Sequence, residues 1–470
     1  MTRRAAKQHK AVNPDMKIYL IGIAGAGMHS LALYLSDAGH QISGSDPGAS
    51  EQTCEFWQKR GCLVHREQKA ENITGADLVI YSAAIPASNP ERLAAEKMGI
   101  ACSRGEALAR FANAHKGSIA VCGTHGKGTT AGAILHVLKK AGTAVSDILG
   151  AVPIGCHQPS LFTPNADYLV CEVDESDKTN QYHRPQFLLI NNVEEDHLNV
   201  YRDLDDIAES FASHVRACLA SGTRVIIHYA GIGAPKLYAC LKDCPEIDWI
   251  CQEGELESPA MAISVGEPDD KGRCLLTIRE ATGMIYQILP AIGGRANAQN
   301  LASAACVART IGLAPETIAN ALASYQGLND RCQIQQYGQY QLVTDYASHP
   351  TCVQNDISWI RNKSNRIVVI YHPYRYSLMK CHWTALALAL SAADVVLLAP
   401  MDGAGEQPIE GLNSEDLAHR ISLNNPNCKA VAFPSFDALE ETAQRTIQPG
   451  DSLLIFGGGS LFDLGRRIVS

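Results

Sequence analysis

The chain has 470 residues, enough for about three domains of ordinary size. Apolar residues make up 46% of the chain and charged residues 19%, and these proportions exclude a disordered or fibrous protein. The 40 Lys and Arg residues against 49 Asp and Glu residues give a net charge of −9, which argues against nucleic-acid binding as the main activity.

The first 15 residues are basic and polar, and no long apolar run follows them, so we expect a flexible N-terminus rather than a signal peptide. No stretch reaches the roughly 18 apolar residues that a membrane span needs. The 16 cysteines are scattered without a CxxC pair, so free thiols are favoured over a zinc ribbon or a disulfide scaffold. These features predict a cytoplasmic protein without a membrane partner, either a monomer or a homodimer.

Short apolar strands alternate with helical stretches along most of the chain, which predicts an α/β fold with parallel sheets. The first block contains strands at 17–21, 41–45 and 76–82 and helices at 28–39 and 51–61. The pattern then restarts twice, with the following elements: strands at 118–122, 168–173, 187–191 and 224–228 with a helix at 129–142, and strands at 340–345, 366–370, 394–398 and 452–456. We therefore predict three domains, over residues 16–116, 117–327 and 328–470.

The first glycine loop, at 22–27, follows a strand and opens a helix. Backbone N–H groups in such a loop can bind a diphosphate, and Asp46 ends the next strand, where dinucleotide folds keep a ribose-binding acid. A tight turn without a ligand is the alternative. The loop by itself also allows an NAD-type oxidoreductase, but that function leaves the second loop unexplained.

The second glycine loop, GTHGKGTT at 123–130, also lies between a strand and a helix. Its glycines let the backbone wrap a phosphate, and Lys127 can neutralise the β and γ oxygens of a nucleotide. Gly128 stands where a Ser or Thr hydroxyl normally follows the lysine and binds magnesium. The loop predicts nucleotide binding all the same.

Two acidic runs, EVDESD at 172–177 and EEDH at 194–197, follow apolar strands. Ligands bind at the carboxyl ends of strands in open α/β sheets, and carboxylates with an imidazole suit Mg²⁺ or Mn²⁺ beside a triphosphate. A solvated acidic loop is the alternative for either run.

Taken together, these motifs resemble those of the Mur ligases, over the chain from about Met16 to its end. The resemblance is carried by the following segments: GIAGAGM at 22–28, GSD at 44–46, AIP at 84–86 with NPE at 89–91, GTHGK at 123–127, EVDESD at 172–177, NNVEEDH at 191–197, Arg295 with Asn297 and Asn300, DY at 345–346 with HPT at 349–351, Pro373 with RY at 375–376, and GE at 405–406 with Pro408. The AIP and NPE segments favour the alanine-adding branch over the tripeptide-recycling ligase.

The resemblance implies a Rossmann-like UDP-binding N-terminal domain, a central P-loop-type ATPase domain and a Rossmann-like C-terminal domain that closes over the amino acid. It implies an ATP- and Mg²⁺-dependent ligase that activates the carboxylate of a UDP-sugar acid as an acyl phosphate and joins it to an amino acid in peptidoglycan precursor synthesis. The residues that it implies are as follows: catalytic Lys127, His197, Arg331 and Asp345; ATP-binding Gly123, Thr124, His125, Gly126, Lys127, Thr129, Asn297 and Asn300; UDP-binding Gly22, Gly25, Ala26, Gly27, Met28, Ser45 and Asp46; amino-acid-binding Tyr346, His349 and Arg375; metal-binding Glu172 and His197.

The chain departs from the family pattern at six positions, which are Gly128, Ala296, Asp330, Ser348, Tyr374 and Leu378. Gly128 removes a magnesium ligand and Asp330 reverses a charge, so a catalytically impaired relative that binds nucleotide or a partner protein is the alternative function. The last three changes remove cationic groups near the amino acid, and they predict that L-alanine is used poorly.

Overall fold

The computed structural model describes residues 15–470, so the prediction for the N-terminus lies outside the described residues except at Asp15. The chain forms three sheets, each built from one continuous part of the sequence. Each sheet falls within one of the three ranges given above. The placing of the domain boundaries at 116/117 and 327/328 stays a prediction.

The first sheet is entirely parallel, in the order β3-β2-β1-β4-β5. Its strands are β1 (Lys17–Ile21), β2 (Gln41–Ser45), β3 (Leu63–His65), β4 (Leu78–Tyr81) and β5 (Ala101–Ser103). Its helices are α1 (Ala26–Asp37), α2 (Glu51–Lys59), α3 (Pro90–Met98) and α4 (Arg104–Ala114). Helix α4 begins with a capping box between Ser103 and Glu106, which satisfies two backbone N–H groups at its start.

The second sheet has ten strands, in the order β15-β14-β13-β12-β11-β10-β6-β9-β7-β8. They are β6 (Ser118–Cys122), β7 (Val145–Ile148), β8 (Ser160–Leu161), β9 (Tyr168–Glu172), β10 (Phe187–Ile190), β11 (Arg224–His228), β12 (Asp248–Gln252), β13 (Met261–Pro268), β14 (Cys274–Glu280) and β15 (Ile285–Ile288). The helices of this part are α5 (Lys127–Lys140), α6 (Leu204–Leu219), α7 (Ala234–Leu241), α8 (Arg295–Thr310) and α9 (Pro315–Ala323).

The third sheet has six strands, in the order β16-β17-β21-β18-β19-β20. They are β16 (Gln333–Tyr337), β17 (Tyr340–Asp345), β18 (Ile367–Tyr371), β19 (Val395–Leu398), β20 (Lys429–Ala432) and β21 (Ser452–Phe456). Its helices are α10 (Pro350–Arg361), α11 (Tyr376–Leu390), α12 (Ser414–Asn424), α13 (Phe436–Thr446) and α14 (Ser460–Val469). The five neighbouring strands β17, β21, β18, β19 and β20 pair in parallel. Strand β16, at the edge, runs antiparallel to β17.

The α/β prediction is confirmed, and the second and third sheets contain antiparallel strands beside the parallel ones that the alternation predicts. Strands β13, β14 and β15 form an antiparallel meander, and β7 with β8 and β16 with β17 also pair antiparallel. The five residues between β13 and β14 and the four between β14 and β15 are too few for a crossover helix, so these strands can pair only as hairpins.

The arrangement of three adjacent strands in the second sheet positions the site. Strands β10, β6 and β9 are neighbours and parallel, so their carboxyl ends meet at one edge. The second glycine loop follows β6, and the two acidic runs follow β9 and β10. Among residues 15–470, no helix is both long and apolar enough to cross a membrane.

Candidate active site

The second glycine loop is held tightly against the strand ends beside it. Gly126 has φ +71°, and a Cβ there would overlap the Asn300 side chain, so this position requires glycine. The Asn191 side chain donates to the carbonyl of His125 at 2.9 Å and to Oδ1 of Asn300 at 2.8 Å. The loop is therefore fixed by side chains from β10 and α8. Helix α5 begins at Lys127, two residues earlier than predicted, because the left-handed turn at Gly126 ends the loop there.

Lys127 lies in a buried ionic contact at the start of α5. Its Nζ donates to the carbonyl of Gly123 at 2.8 Å and to both carboxylate oxygens of Glu175 at 3.1 Å. The Lys127 side chain is 14% exposed and that of Glu175 is 3% exposed. Burial alone would lower the pKa of Lys127, but Glu175, Asp174 and Glu172 outweigh it and raise that pKa, so the ammonium stays charged.

A cavity of about 880 Å³ opens in front of this lysine. Its walls come from all three parts of the chain: the start of α1, the second glycine loop with the acidic runs, and the segment from Arg331 to Asn362. Most of the residues predicted for the site line this cavity. They are Gly25, Ala26, Gly27, Met28, Thr124, His125, Gly126, Lys127, Thr129, Glu172, His197, Asn297, Asn300, Arg331, Asp345, Tyr346 and His349.

The predicted metal ligands, Glu172 and His197, both line the cavity, but the structure groups His197 with different carboxylates. Ligand atoms of His197, Asp174 and Glu175 lie within 4.8 Å of one another. Burial lowers the pKa of His197, but its contacts with Glu175 and with Asp196 raise it above its usual value. Oε2 of Glu172 accepts from the backbone N–H of Gly150 at 3.1 Å instead.

Gly128 lies beside Glu172. A Cβ at Gly128 would lie 3.3 Å from Oε2 of Glu172. The residue that lacks the expected hydroxyl is thus in contact with the predicted carboxylate ligand. The oxygen and imidazole donors of Asp174, Glu175 and His197 fit Mg²⁺ or Mn²⁺, and Glu172 lines the same cavity.

The residues predicted for UDP divide into two groups. Gly25 to Met28 line the cavity at the start of α1, where N–H groups can bind an anion. Gly22, Ser45 and Asp46 lie outside the cavity lining and shape the first glycine loop instead. The N–H of Gly22 donates to the carbonyl of Ser45 at 2.7 Å, and Asp46 Oδ2 accepts from the N–H of Ala24 at 3.0 Å.

On the C-terminal side, Arg331 lies over the Tyr346 ring at 5.2 Å, and both line the cavity. Asp345 is half-buried beside Asp356, and desolvation raises the pKa of both carboxyls. Arg375, in contrast, lies outside the cavity lining, with its guanidinium 5.4 Å from the Tyr374 ring.

Asp330, the charge reversal, has partners of its own. Its Oδ1 accepts from the Thr344 hydroxyl at 2.9 Å and from Arg466 at 3.2 Å. The carboxylate ties β17 to α14, so the reversed charge is balanced within the C-terminal part of the chain.

Sequence reasoning missed several residues in or beside the cavity. Arg104, at the start of α4, lies 3.5 Å from Asp174 across the first and second parts of the chain. Glu175 was quoted only as part of an acidic run, although it binds Lys127. Asp356 and Cys352 lie on α10 without a motif of their own. Of these residues, only Glu175 belongs to a motif recognised in the sequence, the EVDESD run, so only Glu175 could have been assigned from the sequence.

Models of three Mur ligase domains match the chain in order. They are the Mur ligase family catalytic domain over residues 17–116, the Mur ligase middle domain over 121–308, and the Mur ligase glutamate ligase domain over 330–459. A curated UDP-N-acetylmuramate–L-alanine ligase from Syntrophomonas wolfei is 32% identical over 98% of both chains.

Solved structures share the fold. The UDP-N-acetylmuramate-alanine ligase of Thermotoga maritima superposes with a TM-score of 0.78 at 22% identity, covering 97% of this chain and 98% of that one. A murein peptide ligase from Psychrobacter arcticus superposes with a TM-score of 0.72 at 21% identity, with the same coverage.

Proposed function

The chain belongs to the Mur ligase family, and we propose that it joins an amino acid to the carboxylate of UDP-N-acetylmuramate at the expense of ATP, in the synthesis of peptidoglycan precursors. One observation supports this function most strongly. A buried, charged lysine on a glycine loop lies in the same cavity as a set of metal-ligating side chains and the start of α1.

The first step of the proposed reaction is transfer of the γ-phosphoryl group of ATP to the muramyl carboxylate, which gives an acyl phosphate and ADP. Both reactants are anionic, so the site must offset their repulsion. Lys127 supplies a fixed positive charge at the start of α5, where the helix dipole adds to it. A Mg²⁺ ion held by His197 and the acids beside it, Asp174 and Glu175, would add divalent charge beside the phosphates.

The second step is attack by the amine of the amino acid on the acyl phosphate, which releases inorganic phosphate. An acyl phosphate also reacts with water, so the cavity has to close during the reaction. Arg331 and Asp345 reach it from the C-terminal sheet, while Asn297 and Asn300 reach it from α8. We assign these residues to the nucleotide and to closure of the C-terminal part over it.

The start of α1 is proposed to bind the diphosphate of the UDP-sugar acid. Residues Gly25 to Met28 line the cavity, and the first N–H groups of α1 have no partner within the helix. Arg104 stands close to Gly27, where a Cβ would lie 3.0 Å from its Nη1. A helix start and a guanidinium are both suited to a diphosphate.

L-Alanine is the amino acid that the curated relatives are named for, and it is our proposal here. The expectation that L-alanine is used poorly depends on three positions. Of these, Ser348 lines the cavity, whereas Tyr374 and Leu378 lie outside its lining, and Leu378 packs against the C-terminal core. The geometry therefore gives that expectation little support.

The alternative, a catalytically impaired relative, finds no support in the comparisons. The charge of Asp330 is balanced by Arg466, and Gly128 leaves Glu172 in place beside the loop. The oligomeric state and the location in the cell stay predictions.

A phosphate-release assay with ATP, Mg²⁺ and UDP-N-acetylmuramate tests the proposal against a panel of the standard amino acids. We expect release that depends on both the UDP-sugar and one amino acid, with L-alanine preferred, and a product whose mass is that of the amide. The Lys127→Ala variant is the control for contaminating activity. Phosphate release that depends on neither substrate would contradict the proposal.

A further inference from the structure

A tryptophan from the C-terminal part of the chain is buried against two glycines of the central part. Trp359 lies on α10 and is 8% exposed. Gly272 lies in the turn between β13 and β14, and Gly293 lies just before α8. A Cβ at either glycine would overlap the indole of Trp359. Two separate segments of the central part therefore both leave room for the same side chain.

These glycines belong to one platform, the glycine seat, which consists of Gly272, Gly293 and Gly294. The N–H of Gly294 donates to the carbonyl of Gly272 at 2.9 Å, which joins the two segments. Gly272 and Gly294 have φ values of +67° and +90°, which disfavour a side chain for reasons of backbone strain. Gly293 has no positive φ, and the three atoms nearest to a Cβ there all belong to Trp359. At residue 293 the indole itself is thus the obstacle to a side chain.

The contact between Trp359 and the seat depends on shape. Nε1 of Trp359 is buried, and it has no hydrogen-bond partner among the residues that the structure describes. Nζ of Lys363, just beyond the end of α10, lies 4.7 Å from the centre of the Trp359 ring, and the Lys363 side chain also packs against Gly272. A large aromatic side chain buried in a close-fitting recess is typical of the residues that contribute most to an interface.

The seat is joined to a residue that we assign to the nucleotide. The side-chain amide of Asn297 donates to the carbonyl of Gly293 at 2.8 Å. Gly293, Gly294, Asn297 and Trp359 all line the cavity. A ligand that fixes Asn297 therefore also fixes the backbone on which the indole lies.

We propose that Trp359 is a positioning residue, which docks the C-terminal part of the chain on the central part through the glycine seat. Asn355 and Asp356 line the cavity from the same helix, so the position of the indole determines where these side chains lie. Asn297 couples the docking to nucleotide binding. This coupling rests on the proposed function, whereas the docking rests on the contacts of Trp359 alone.

Small-angle X-ray scattering of the full-length protein without ligands tests the docking. Trp359→Ala removes the indole, and Gly293→Ala places a methyl group where the indole lies without changing the C-terminal part. We expect both variants to have a larger radius of gyration than the parent. Gly266→Ala, in β13, is the matched control and should keep the parent radius, because a Cβ there would be 3.4 Å or more from its neighbours.

The parent radius in both Trp359→Ala and Gly293→Ala would overturn the proposal. Trp359 also packs in the core of the C-terminal part, so Trp359→Ala can fail to fold for a reason unrelated to docking. In that case Gly293→Ala decides the question, since it leaves that core intact.

Titration calorimetry with Mg²⁺ and a non-hydrolysable ATP analogue tests the coupling. Each variant should bind the analogue about tenfold or more weakly than the parent, with unchanged affinity for UDP-N-acetylmuramate, which we place at the start of α1. Adding Gly293→Ala to Trp359→Ala should cause no further loss, because the methyl group then meets no indole. Additive losses, or equal losses for both ligands, would contradict the coupling. A parent that does not bind the analogue would contradict the proposed function, and the scattering measurement would still decide the docking.

Discussion

Removing Lys127 should cost the protein both activity and stability, because the ammonium that we propose to bind the phosphates also balances a buried carboxylate. In Lys127→Ala, Glu175, whose side chain is 3% exposed, loses the Lys127 ammonium and keeps the imidazole of His197, whose Nε2 lies 3.6 Å from Oε1 of Glu175. Breaking a buried ion pair from one side costs about 3–5 kcal/mol, since the remaining charge loses its main compensation. For a unit of about 200 residues this corresponds to a fall of about 6–20 °C in the unfolding midpoint.

The second substitution, Glu175→Gln, separates the two effects. In Lys127→Ala with Glu175→Gln no charge is left at either position, so most of the lost midpoint should return. Turnover should not return, because loss of a preorganised charge aimed at the transferring phosphoryl group costs about 10²–10³-fold in rate.

Differential scanning calorimetry of the parent, the two single variants and the double variant measures the stability effect, and phosphate release measures turnover. Lys59→Ala, at an exposed lysine of α2 in the first sheet, is the matched control and should change neither quantity. An unchanged midpoint for Lys127→Ala would refute the argument from the buried pair. Turnover at the parent rate would refute the role of Lys127 in phosphoryl transfer.

Three further predictions concern other residues of the cavity. Gly128→Thr places a hydroxyl beside Glu172 and should tighten Mg²⁺ binding in the presence of ATP, as measured by titration; unchanged affinity would mean that the hydroxyl does not reach the ion. Burial raises the pKa of Asp356 in the folded protein above the value of about 3.9 that it has in the unfolded chain. The stability that the protonated carboxyl contributes is therefore present at low pH and is lost as pH rises through the folded-state pKa. Asp356→Asn, which stays neutral, should therefore stabilise the protein increasingly as pH rises, and a variant less stable than the parent at alkaline pH would contradict this account. Competition between L-alanine, glycine and L-serine, ranked by kcat/KM, should favour L-alanine, and a preference for another amino acid would restore the expectation drawn from Ser348.

Local sequence signals predicted the parts of the site that depend on strand ends. Apolar runs located β6, β9 and β10, and the glycines and acids that follow them come together because neighbouring parallel strands end at one edge. The order β10-β6-β9 itself could not be read from the sequence, because pairing of strands distant in the chain leaves no local pattern.

The site residues that could not be predicted from the sequence depend on contacts between distant segments of the chain. The pairing of Lys127 with Glu175 depends on which acid of the EVDESD run points inward, and the run gives no periodicity that decides it. Arg104, which follows the first sheet's β5, reaches Asp174, which follows the second sheet's β9, and Cys352 lines the cavity from α10. Arg375 shows the converse, since its family motif predicted a site residue and the fold leaves its guanidinium outside the cavity lining.

The most direct test of the central claim is transfer of ¹⁸O from substrate to phosphate. UDP-N-acetylmuramate labelled with ¹⁸O in its carboxylate is incubated with the enzyme, ATP, Mg²⁺ and L-alanine, and the inorganic phosphate is analysed by mass spectrometry. If an acyl phosphate forms and is attacked by the amine, one labelled oxygen of the carboxylate leaves with each phosphate released. Phosphate that carries no label would contradict the account.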